Sequence, residues 1–593
     1  MFLRCTTRKK NGKEHCYWSI VENKRCVSGK IVQRHVLYLG EINDQQQAAW
    51  QKSIEVFEVG HSQPRTVALF PEDRVVEWAD TEIVRIKLSE LQLRHPRQWG
   101  ACWLACHLYE ELQLDGFWAE RLQPSRKGTR WDLVLETLCA YRLIDPGSEW
   151  RLHRQWFESS AMADLLGADF AQLAEAHKLY ACHDLILKHK TALFDHLTER
   201  WKDLFNAKFD VLLYDLTSSY FESDPPFPEG DKRKYGYSRD KRPDCVQVVI
   251  ALIVTPEGFP LAYDVMAGNT NDKTTLKAFL EKIEKQYGKA QRIWVMDRGI
   301  PTEETLKEMR QSDPPVLYLV GTPKGRLSKL EERLRELPWK VAREGVEVKL
   351  VAEAGEVYVL AKSQDRVNKE RAMRRRQLKG LWKRLHELQG MELSRDALLM
   401  KLGAARQQAP SAWRLVKIKL PKEKDEDNTK KLEFSLRKNK LRQVRRREGR
   451  YLLRSNMCGR PEEELWEFYM QLAQVEEAFK HLKSDLVLRP FHHQKERRIE
   501  AHIFVAFLAY CLQVTLTRRL KDLAPGLTAR SVLEKLAGMQ MIDVHLPTTD
   551  GREVILTRYT QPELEQRLLL DKLKLQLPEQ PPPKITSQQL TTQ

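Results

Sequence analysis

The sequence predicts a multidomain α/β protein whose central part is a mixed sheet with helices packed on it. With 593 residues, the chain is too long for one ordinary domain. Between 208 and 325, three strand-like runs precede alternating strands and helices, which is the order of a mixed sheet covered by helices. From 461 to 486, apolar residues recur at steps of three and four, which is typical of an amphipathic helix.

Composition narrows the class of protein. A formal charge of +17 and a pI near 9.2 favour a polyanionic partner, most simply nucleic acid. The ten cysteines form no CxxC pair and no zinc-finger spacing. Cys102, Cys106 and the adjacent His107 fit a buried helix face better than a metal site. With no signal peptide and no apolar run of membrane-spanning length, we expect a cytoplasmic, reduced protein.

The N-terminal part, 1–75, is predicted to be a small basic β-rich domain. Two strand-like runs, CYWSIVENKR and KIVQRHVLYLG, are joined by a Ser-Gly turn. Its basic edge is either a DNA-binding arm or a solvated face, and the residues do not decide between them: Arg8, Lys9, Lys10 and Lys13.

Residues 90–205 are predicted to form a helical domain. The run WDLVLETLCAYRLI has apolar residues at helical spacing, and DPGS interrupts the chain before EWRLHRQWFE. A helix, a tight turn and a second helix permit a helix-turn-helix reader of the DNA major groove. A generic helix hairpin is the commoner explanation of the same pattern.

The stretch 206–328 is predicted to be the first part of a catalytic core. Its element order is that of the ribonuclease-H-like fold: three strands, then alternating helix and strand. TPEG supplies a turn of hairpin length between the second and third strands. The predicted elements, in order, are FDVLLYDLT, CVQVVIALIV, FPLAYDVMAG, TTLKAFLEKIEKQYG, RIWVMD, TEETLKEMR and PVLYLVG.

The alternation of strand and helix stops near 330. We expect a β-rich insertion at 329–456 with a basic helical arm around 366–390, whose charge is either a solvated face or a phosphate contact. The core resumes at 457–525 with one long helix at 461–486 and another at 498–520. A C-terminal helical region, 526–575, with a last helix in VLEKLAGMQMI, precedes a Pro-rich tail, 576–593, that we expect to be disordered.

Three carboxylates are the candidate chemical centre. Asp215 lies inside the apolar run VLLYDLTSSY, Asp297 ends the run RIWVMD, and Glu476 lies in the predicted long helix. A carboxylate within or at the end of a buried strand is costly to desolvate unless something compensates its charge. Two Mg²⁺ ions are one such compensation, and they serve phosphoryl transfer. Taken alone, Asp297 would be explained as a turn former or a helix cap.

The helical period selects Glu476 over Glu477. At about 100° per residue, Glu476 lies at the border of the apolar stripe and Glu477 points nearly opposite it. Tyr469, Glu476, Lys480 and Lys483 share a second stripe. An ordinary amphipathic helix with a Glu476–Lys480 pair is the simpler alternative. The apolar stripe consists of Leu465, Phe468, Leu472, Val475, Phe479, Leu482 and Leu486.

The spacing of Tyr469, Leu472, Glu476 and Lys483 resembles the Tyr-Arg-Glu-Lys signature of bacterial insertion-sequence transposases, which are DDE transposases with a ribonuclease-H-like, retroviral-integrase-like core. YDLTSSYFES, YGYSRDKRPDCVQVVIAL, VMDRGI and QVEEAFKHLKSDLVLRPFHHQKERRIEAHIFVAFLAY also resemble this family, in order, over about 205–520. The signature Arg is replaced by Leu472.

The resemblance implies a transposase that cleaves DNA at element ends and transfers strands into target DNA. Asp215, Asp297 and Glu476 would bind two Mg²⁺, with Mn²⁺ a possible substitute. The partner would be double-stranded DNA, held by a homodimer in a synaptic complex on the bacterial nucleoid. The region 90–205 would bind the ends. No Walker-type phosphate loop is present, so no nucleotide cofactor is expected.

Basic and aromatic residues near the acidic triad are the expected DNA contacts. His492 and His493 are either a backbone contact or part of a solvated loop, and His502 is expected on a helix face rather than as a ligand. A nuclease that does not join strands, and a repressor that has lost catalysis, remain alternatives. The expected DNA-binding residues are Tyr469, Lys480, Lys483, Arg239, Lys241, Arg242, Arg298 and Arg489.

Overall fold

The computed structural model divides the chain into two compact units. The first unit comprises Met1–Thr7, Cys16–Thr275 and Ala473–Gln593, and the second comprises Arg8–His15 and Leu276–Leu472. The structure describes residues 2–10, 13–25, 31–40, 86–222, 225, 227–240, 242–287, 292–297, 299–322, 330, 333–334, 336–391, 393–420, 432–488, 491 and 493–585.

The N-terminal residues form a three-stranded sheet in the order β1-β2-β3, with β1 at Phe2–Lys10, β2 at Lys13–Arg25 and β3 at Ile31–Gly40. This confirms both predicted strands and adds β1. A disulfide joins Cys5 to Cys16, so the expectation of a fully reduced chain is wrong for this pair. The side chains of the predicted basic edge, residues 8–10 and 13, lie outside the described residues.

Helices dominate the next part of the first unit, as predicted. A strand that the sequence did not predict, β4 (Gln92–Gln98), precedes them. Cys102 and Cys106 are buried in the first helix, and burial raises the pKa of Cys102 to about 12, which agrees with the predicted buried helix face. The helices are α1 (Gly100–Glu111), α2 (Leu114–Arg121), α3 (Trp131–Ile144), α4 (Glu149–Arg151, continued by a π-turn at Leu152–Trp156), α5 (Met162–Leu166), α6 (Phe170–Leu173), α7 (Ala176–Ile186) and α8 (Lys190–Phe205).

An antiparallel meander follows, with β5 at Val211–Phe221, β6 at Val246–Val254 and β7 at Pro260–Ala267. These are the three strands predicted at the start of the core. Every residue of β6 is buried, which agrees with a sequence that is apolar except at Gln247. Asp215 lies opposite Leu252 in the pairing of β5 with β6.

The second unit contains a sheet with strand order β10-β11-β12-β15-β9-β8, in which β8 and β9 are parallel. Helix α9 (Asp272–Tyr287) precedes β8, and α10 (Glu303–Gln311) connects β8 to β9, as the alternating pattern predicted. Its strands are β8 (Ile293–Met296), β9 (Leu317–Gly321), β10 (Lys340–Arg343), β11 (Val346–Glu353), β12 (Glu356–Ser363) and β15 (Arg450–Ser455).

The predicted insertion holds helices as well as strands. The basic arm is a helix of 26 residues, and KLEFSLRKNKL forms a short strand followed by a helix rather than one strand. The charged loop 421–431 lies outside the described residues. The elements are α11 (Gln364–Gln389), α12 (Arg395–Gln408), α13 (Pro410–Trp413), β13 (Val416–Lys419), β14 (Glu433–Leu436) and α14 (Lys438–Arg447).

The prediction of one long helix at 461–486 is wrong. The chain forms α15 (Glu462–Met470), a turn, α16 (Ala473–Lys480) and a π-turn at His481–Asp485. Within the second unit α15 packs on strands β8 to β12, and within the first unit α16 packs on β5 and β6. The two segments therefore pack on different strands, although the apolar stripe is continuous in the sequence.

Helix α17 (Glu496–Leu523) is the longest helix of the described chain. By length and composition it could cross a membrane, contrary to the sequence expectation, but 94% of its most apolar window is buried inside the protein. The C-terminal part adds α18 (Ala529–Leu536), β16 (Gln540–Pro547), β17 (Glu553–Tyr559), α19 (Leu564–Lys572) and β18 (Lys584–Ile585).

Two C-terminal predictions need correction. The run VLEKLAGMQMI is a helix only to Leu536, because its last residues begin β16 in a sheet of order β18-β17-β16-β4. The predicted disordered tail is ordered up to Ile585: the Gln580 amide donates to the Tyr559 carbonyl at 3.0 Å, and β18 pairs with β17. Residues 586–593 lie outside the described residues.

Candidate active site

The first unit carries two of the three predicted acidic residues. Asp215 is half-buried on β5, inside the apolar run that predicted the strand. Helix α16 packs on β5 and carries Glu476 with an exposed side chain, whereas Val475 and Phe479 are buried. The apolar stripe of this short helix is buried as predicted, but Glu476 and Glu477 are both exposed, so exposure does not distinguish the two glutamates.

Glu477 has its own partner on the same helix. Its carboxylate lies 3.6 Å from His481 Nε2, and the hydrogen bond from His481 lowers the pKa of Glu477. His481 also contacts Asp485 and the Gln513 amide of α17. Glu477 is thus part of a polar contact on the side of α16 that faces α17.

Lys483, predicted to contact a phosphate, forms an ion pair with a residue that sequence reasoning missed. Its ammonium lies 3.0 Å from Asp240 Oδ1, and the two side chains are only 14% and 15% exposed. The two residues are 243 positions apart, and Asp240 lies in a basic, aromatic segment where the sequence drew attention to its cationic neighbours. Only the fold brings this carboxylate to the lysine.

Close backbone packing holds the segment that carries Asp240. A Cβ on Gly236 would lie 2.0 Å from the Gly268 carbonyl oxygen, so no larger residue fits there. The side-chain amide of Gln247 donates to that same carbonyl at 2.9 Å. The backbone amide of Arg239 donates to Ser218 Oγ on β5 at 3.2 Å. These contacts place Arg239 and Asp240 beside the strand that bears Asp215.

Arg242, another predicted DNA contact, is engaged within the protein. Its guanidinium donates to Asp244 at 2.9 to 3.0 Å and to Glu222 at 3.0 Å, and it lies 4.8 Å from the centre of the Tyr220 ring. The hydrogen bonds to Asp244 and Glu222 raise the pKa of Arg242. Its charge is therefore partly neutralised by two exposed carboxylates.

The second unit carries the third acidic residue. Asp297 follows β8 directly and is exposed. The Tyr469 hydroxyl of α15 donates to Asp297 Oδ1 at 3.4 Å. Burial and the Asp297 charge raise the pKa of Tyr469, so the phenol keeps its proton. Nearby, the Trp466 indole donates to the Tyr451 hydroxyl at 2.6 Å, and the Tyr451 and Tyr469 rings are 6.4 Å apart.

The predicted site residues are thus distributed over two groups. Asp215, Glu476, Lys483 and Arg239 lie in the first unit, as does Lys480, whose side chain is exposed on α16. Asp297 and Tyr469 lie together in the second unit. The remaining predicted DNA contacts, Lys241, Arg298 and Arg489, and also His492, lie outside the described residues.

Leu472 occupies the turn between α15 and α16. Its side chain is half-buried, and its amide donates to the Tyr469 carbonyl at 3.1 Å. The sequence placed Leu472 on a buried stripe of one continuous helix. In the structure it is instead the last residue of the second unit.

Of the two histidines near α17, His493 differs from expectation, whereas His502 lies on a helix as predicted. His493 is 5% exposed, so it belongs to neither a solvated loop nor a DNA-facing one, and His502 is 1% exposed. Both contact Glu149 Oε1, at 3.2 and 3.1 Å. No sequence spacing links Glu149 to residues more than 340 positions away, and the sequence did not indicate this cluster.

Sites with two metal ions are typical of enzymes that cleave and join phosphodiesters, and carboxylates are the ligands that such ions prefer. Residues 207–512 match the family described as transposase DDE domain, and residues 3–56 match the IS1634 family transposase N-terminal domain. The first match spans more than half of the chain, so the protein belongs to the DDE transposases of insertion sequences. It acts in DNA transposition as a DNA-cleaving and DNA-transferring enzyme.

Among solved structures, the chain is similar to a piggyBac transposase synaptic complex with hairpin DNA. The identity is 11%, the TM-score is 0.34, and the match covers 75% of this chain and 82% of that one. A similarity this low carries no argument about the fold or the site. No curated protein matches the sequence.

Proposed function

We propose that this transposase cleaves DNA at the ends of an insertion sequence and joins the freed 3′-hydroxyl to target DNA. The observation that carries the proposal is the packing of the Glu476 helix on the Asp215 strand, with Lys483 at the end of the same helical segment. Asp297, beside the Tyr469 hydroxyl, supplies the third carboxylate of the family signature.

The three carboxylates fit divalent cations of the magnesium type. Carboxylate oxygens are the hard ligands that Mg²⁺ and Mn²⁺ prefer, and Glu476 and Asp297 are exposed enough to exchange water for a metal. We assign Asp215, Asp297 and Glu476 as ligands of two Mg²⁺ ions. When bound, such ions supply Lewis acidity, which lowers the pKa of water and stabilises a leaving oxygen.

The protein residues around the carboxylates position the DNA. Tyr469 keeps its proton and donates a hydrogen bond, so it suits a phosphate oxygen as well as Asp297. Lys483 offers a cation whose direction is set by Asp240. Lys480 and Arg239 add positive charge in the same unit. We expect each of these groups to contact a phosphate of the bound DNA.

The reaction then has two phosphoryl transfers without a covalent enzyme–DNA intermediate. Water attacks the phosphodiester at the element end, the bond to the 3′-oxygen breaks, and that oxygen leaves as a 3′-hydroxyl after taking up a proton. The same hydroxyl attacks a target phosphodiester and displaces another 3′-oxygen. Because two ends must be joined at one target, we propose a homodimer in a synaptic complex, acting on the nucleoid in the cytoplasm.

A cleavage assay on labelled DNA from the flanks of the gene tests the proposal. The wild-type protein should nick the DNA at a defined position in the presence of Mg²⁺, and EDTA should abolish the nicking. Glu476→Gln should abolish nicking, by about 10³-fold or more, while DNA affinity stays within about twofold, because it removes a metal ligand from the transition state. Glu477→Gln is the matched control on the same helix and should be mild. Equal loss from both variants would contradict the assignment of Glu476.

Two alternatives are separated by the same assay. A nuclease without strand transfer would release cleaved ends and give no joined product when target DNA is added. A repressor derived from a transposase would bind the flanks and leave them uncut in wild type and variant alike. For that outcome, Leu472→Arg is the first variant to make, because it restores the signature residue at the turn after Tyr469.

A further inference from the structure

Four buried side chains of the first unit converge on one point. Glu149 is the first residue of α4, His183 lies on α7, His493 precedes α17 and His502 lies on α17. Their exposed fractions are 2%, 0%, 5% and 1%. A single oxygen, Glu149 Oε1, lies 3.1 Å from His183 Nε2, 3.2 Å from His493 Nε2 and 3.1 Å from His502 Nδ1.

One ligand atom each of Glu149, His493 and His502 lies within 4.8 Å of the others, close enough for the three side chains to share one zinc ion. Zinc–nitrogen and zinc–oxygen bonds of about 2.0–2.2 Å give ligand atoms roughly 3.3–3.6 Å apart at the corners of a tetrahedron. The nitrogen–oxygen distances of 3.1 and 3.2 Å are slightly shorter. Two imidazoles and one carboxylate, with a water in the fourth position, are a ligand set that suits zinc.

Hydrogen bonding alone explains the arrangement poorly. Three imidazole nitrogens share Oε1, whereas the buried Oε2 of Glu149 has no hydrogen-bond partner among the described residues. A network built only to satisfy a buried carboxylate would distribute donors over both oxygens. A cation held by Glu149, His493 and His502 accounts for the convergence of these three side chains.

Arg142 is the other charged group at the cluster. Its Nη2 lies 3.9 Å from Glu149 Oε1 and 3.4 Å from His502 Nδ1, and its Nη1 donates to the Val487 carbonyl at 3.2 Å. The guanidinium balances the Glu149 charge in the metal-free protein. A bound cation would feel its repulsion, so we expect weaker affinity than for a similar site without the arginine.

We propose that Glu149, His493 and His502 bind one Zn²⁺ ion that stabilises the first unit, with His183 hydrogen-bonded to Glu149 beside it. The proposal does not depend on the acidic triad or on its chemistry. Glu149 and His183 belong to the N-terminal helices, whereas His493 and His502 follow Glu476 and Lys483 along the chain. The ion would connect parts of the chain that are 353 positions apart, from Glu149 to His502, and its binding energy would contribute to folding.

The test uses the full-length chain purified without chelators. Elemental analysis should find about one zinc per chain. Cobalt added to the metal-free chain should give the visible absorption of a tetrahedral site without the sulfur charge-transfer band that a cysteine ligand would add. His502→Ala and His493→Gln should each reduce bound metal by about 10-fold or more, and zinc should raise the melting temperature of wild type but of neither variant.

Two controls separate this site from other metal binding. His177→Ala alters a histidine whose side chain is 73% exposed and should retain zinc like wild type. Glu476→Gln should also retain it, so failure of the catalytic assignment and failure of the zinc assignment give different results. Wild type without zinc and without a tetrahedral cobalt spectrum would overturn the proposal, and this result does not depend on the folding of any variant.

Discussion

The ammonium of Lys483 lies 3.0 Å from Asp240 Oδ1, with both side chains largely buried. The lysine of the family signature therefore already has an anionic partner in the DNA-free protein. A DNA phosphate that approaches Lys483 meets a pair whose net charge is near zero. Asp240 consequently orients the lysine and also reduces its attraction for phosphate.

Replacing Asp240 should separate these two effects. We expect Asp240→Asn to lower the free energy of unfolding by about 1–3 kcal/mol, because a mostly buried ammonium loses its counter-charge. DNA affinity at low salt should rise several-fold, with a steeper salt dependence. Chemical denaturation measures the free energy of unfolding, and DNA binding at a series of salt concentrations measures the affinity and its salt dependence. Asp244→Asn, at a carboxylate 61% exposed, is the control and should change stability little. Weaker DNA binding by Asp240→Asn would contradict the screening role.

Tyr469 should act as a neutral hydrogen-bond donor. Removing its hydroxyl in Tyr469→Phe should slow cleavage by about 10-fold, because one hydrogen bond near the scissile phosphate is lost. Since burial and Asp297 raise the pKa of Tyr469, the wild-type rate should show no loss from tyrosine ionisation up to about pH 10. Tyr235→Phe, at an exposed tyrosine, is the matched control. A wild-type rate for Tyr469→Phe would exclude this role.

The contact between His481 and Glu477 should make stability depend on pH. Burial opposes the charge of His481, but hydrogen bonds to Glu477 and Asp485 raise its pKa overall. The protonated imidazole therefore stabilises the folded protein fully below the ordinary histidine pKa near 6.5. This stabilisation is lost as the pH rises through the folded-state pKa of His481. The pKa of Glu477 is lowered, so its contribution is lost as the pH falls through the folded-state value. The contact between His481 and Glu477 should therefore stabilise the folded protein most between about pH 4.5 and 6.5.

Thermal melts of wild type and His481→Gln across pH 4 to 9 measure this dependence. The difference in melting temperature between the two should be largest in the acidic part of the range and should shrink above neutrality. His177→Gln, at an exposed histidine, should follow wild type at every pH. A difference that stays constant with pH would show that His481 stabilises by packing and not by its charge.

Arg454 should be a stability determinant of the second unit. Its buried guanidinium donates to both Glu356 oxygens at 2.7 Å and to Glu303 at 2.8 Å. Arg454→Met leaves the buried Glu356 with less compensation, so we expect a loss of about 3–5 kcal/mol in the free energy of unfolding. Arg333→Met breaks an exposed pair with Glu353 and should cost at most about 1 kcal/mol. Similar losses in the two variants, measured by urea denaturation, would contradict this difference.

Local sequence pattern predicted most of the elements in the core. The strands at Val211–Phe221, Val246–Val254 and Pro260–Ala267 occur where apolar runs and a Pro/Gly turn placed them. The boundary between α15 and α16 was not predictable in the same way, because an apolar stripe at helical spacing looks the same whether one helix or two bury it. The choice of Glu476 over Glu477 stays a prediction, and the break does not alter their relative orientation, because the two residues share one short helix.

The sequence pattern could not predict which side chains contact each other in the fold. The sequence identified the carboxylates, the signature lysine and the basic character of the chain, because residue type, spacing and charge are local properties. The tertiary structure alone decided that Asp240 faces Lys483 and that Glu149 meets three histidines, at separations of 243 and up to 353 positions. Such contacts depend on how buried surfaces pack, and packing energy is summed over residues that are distant along the chain.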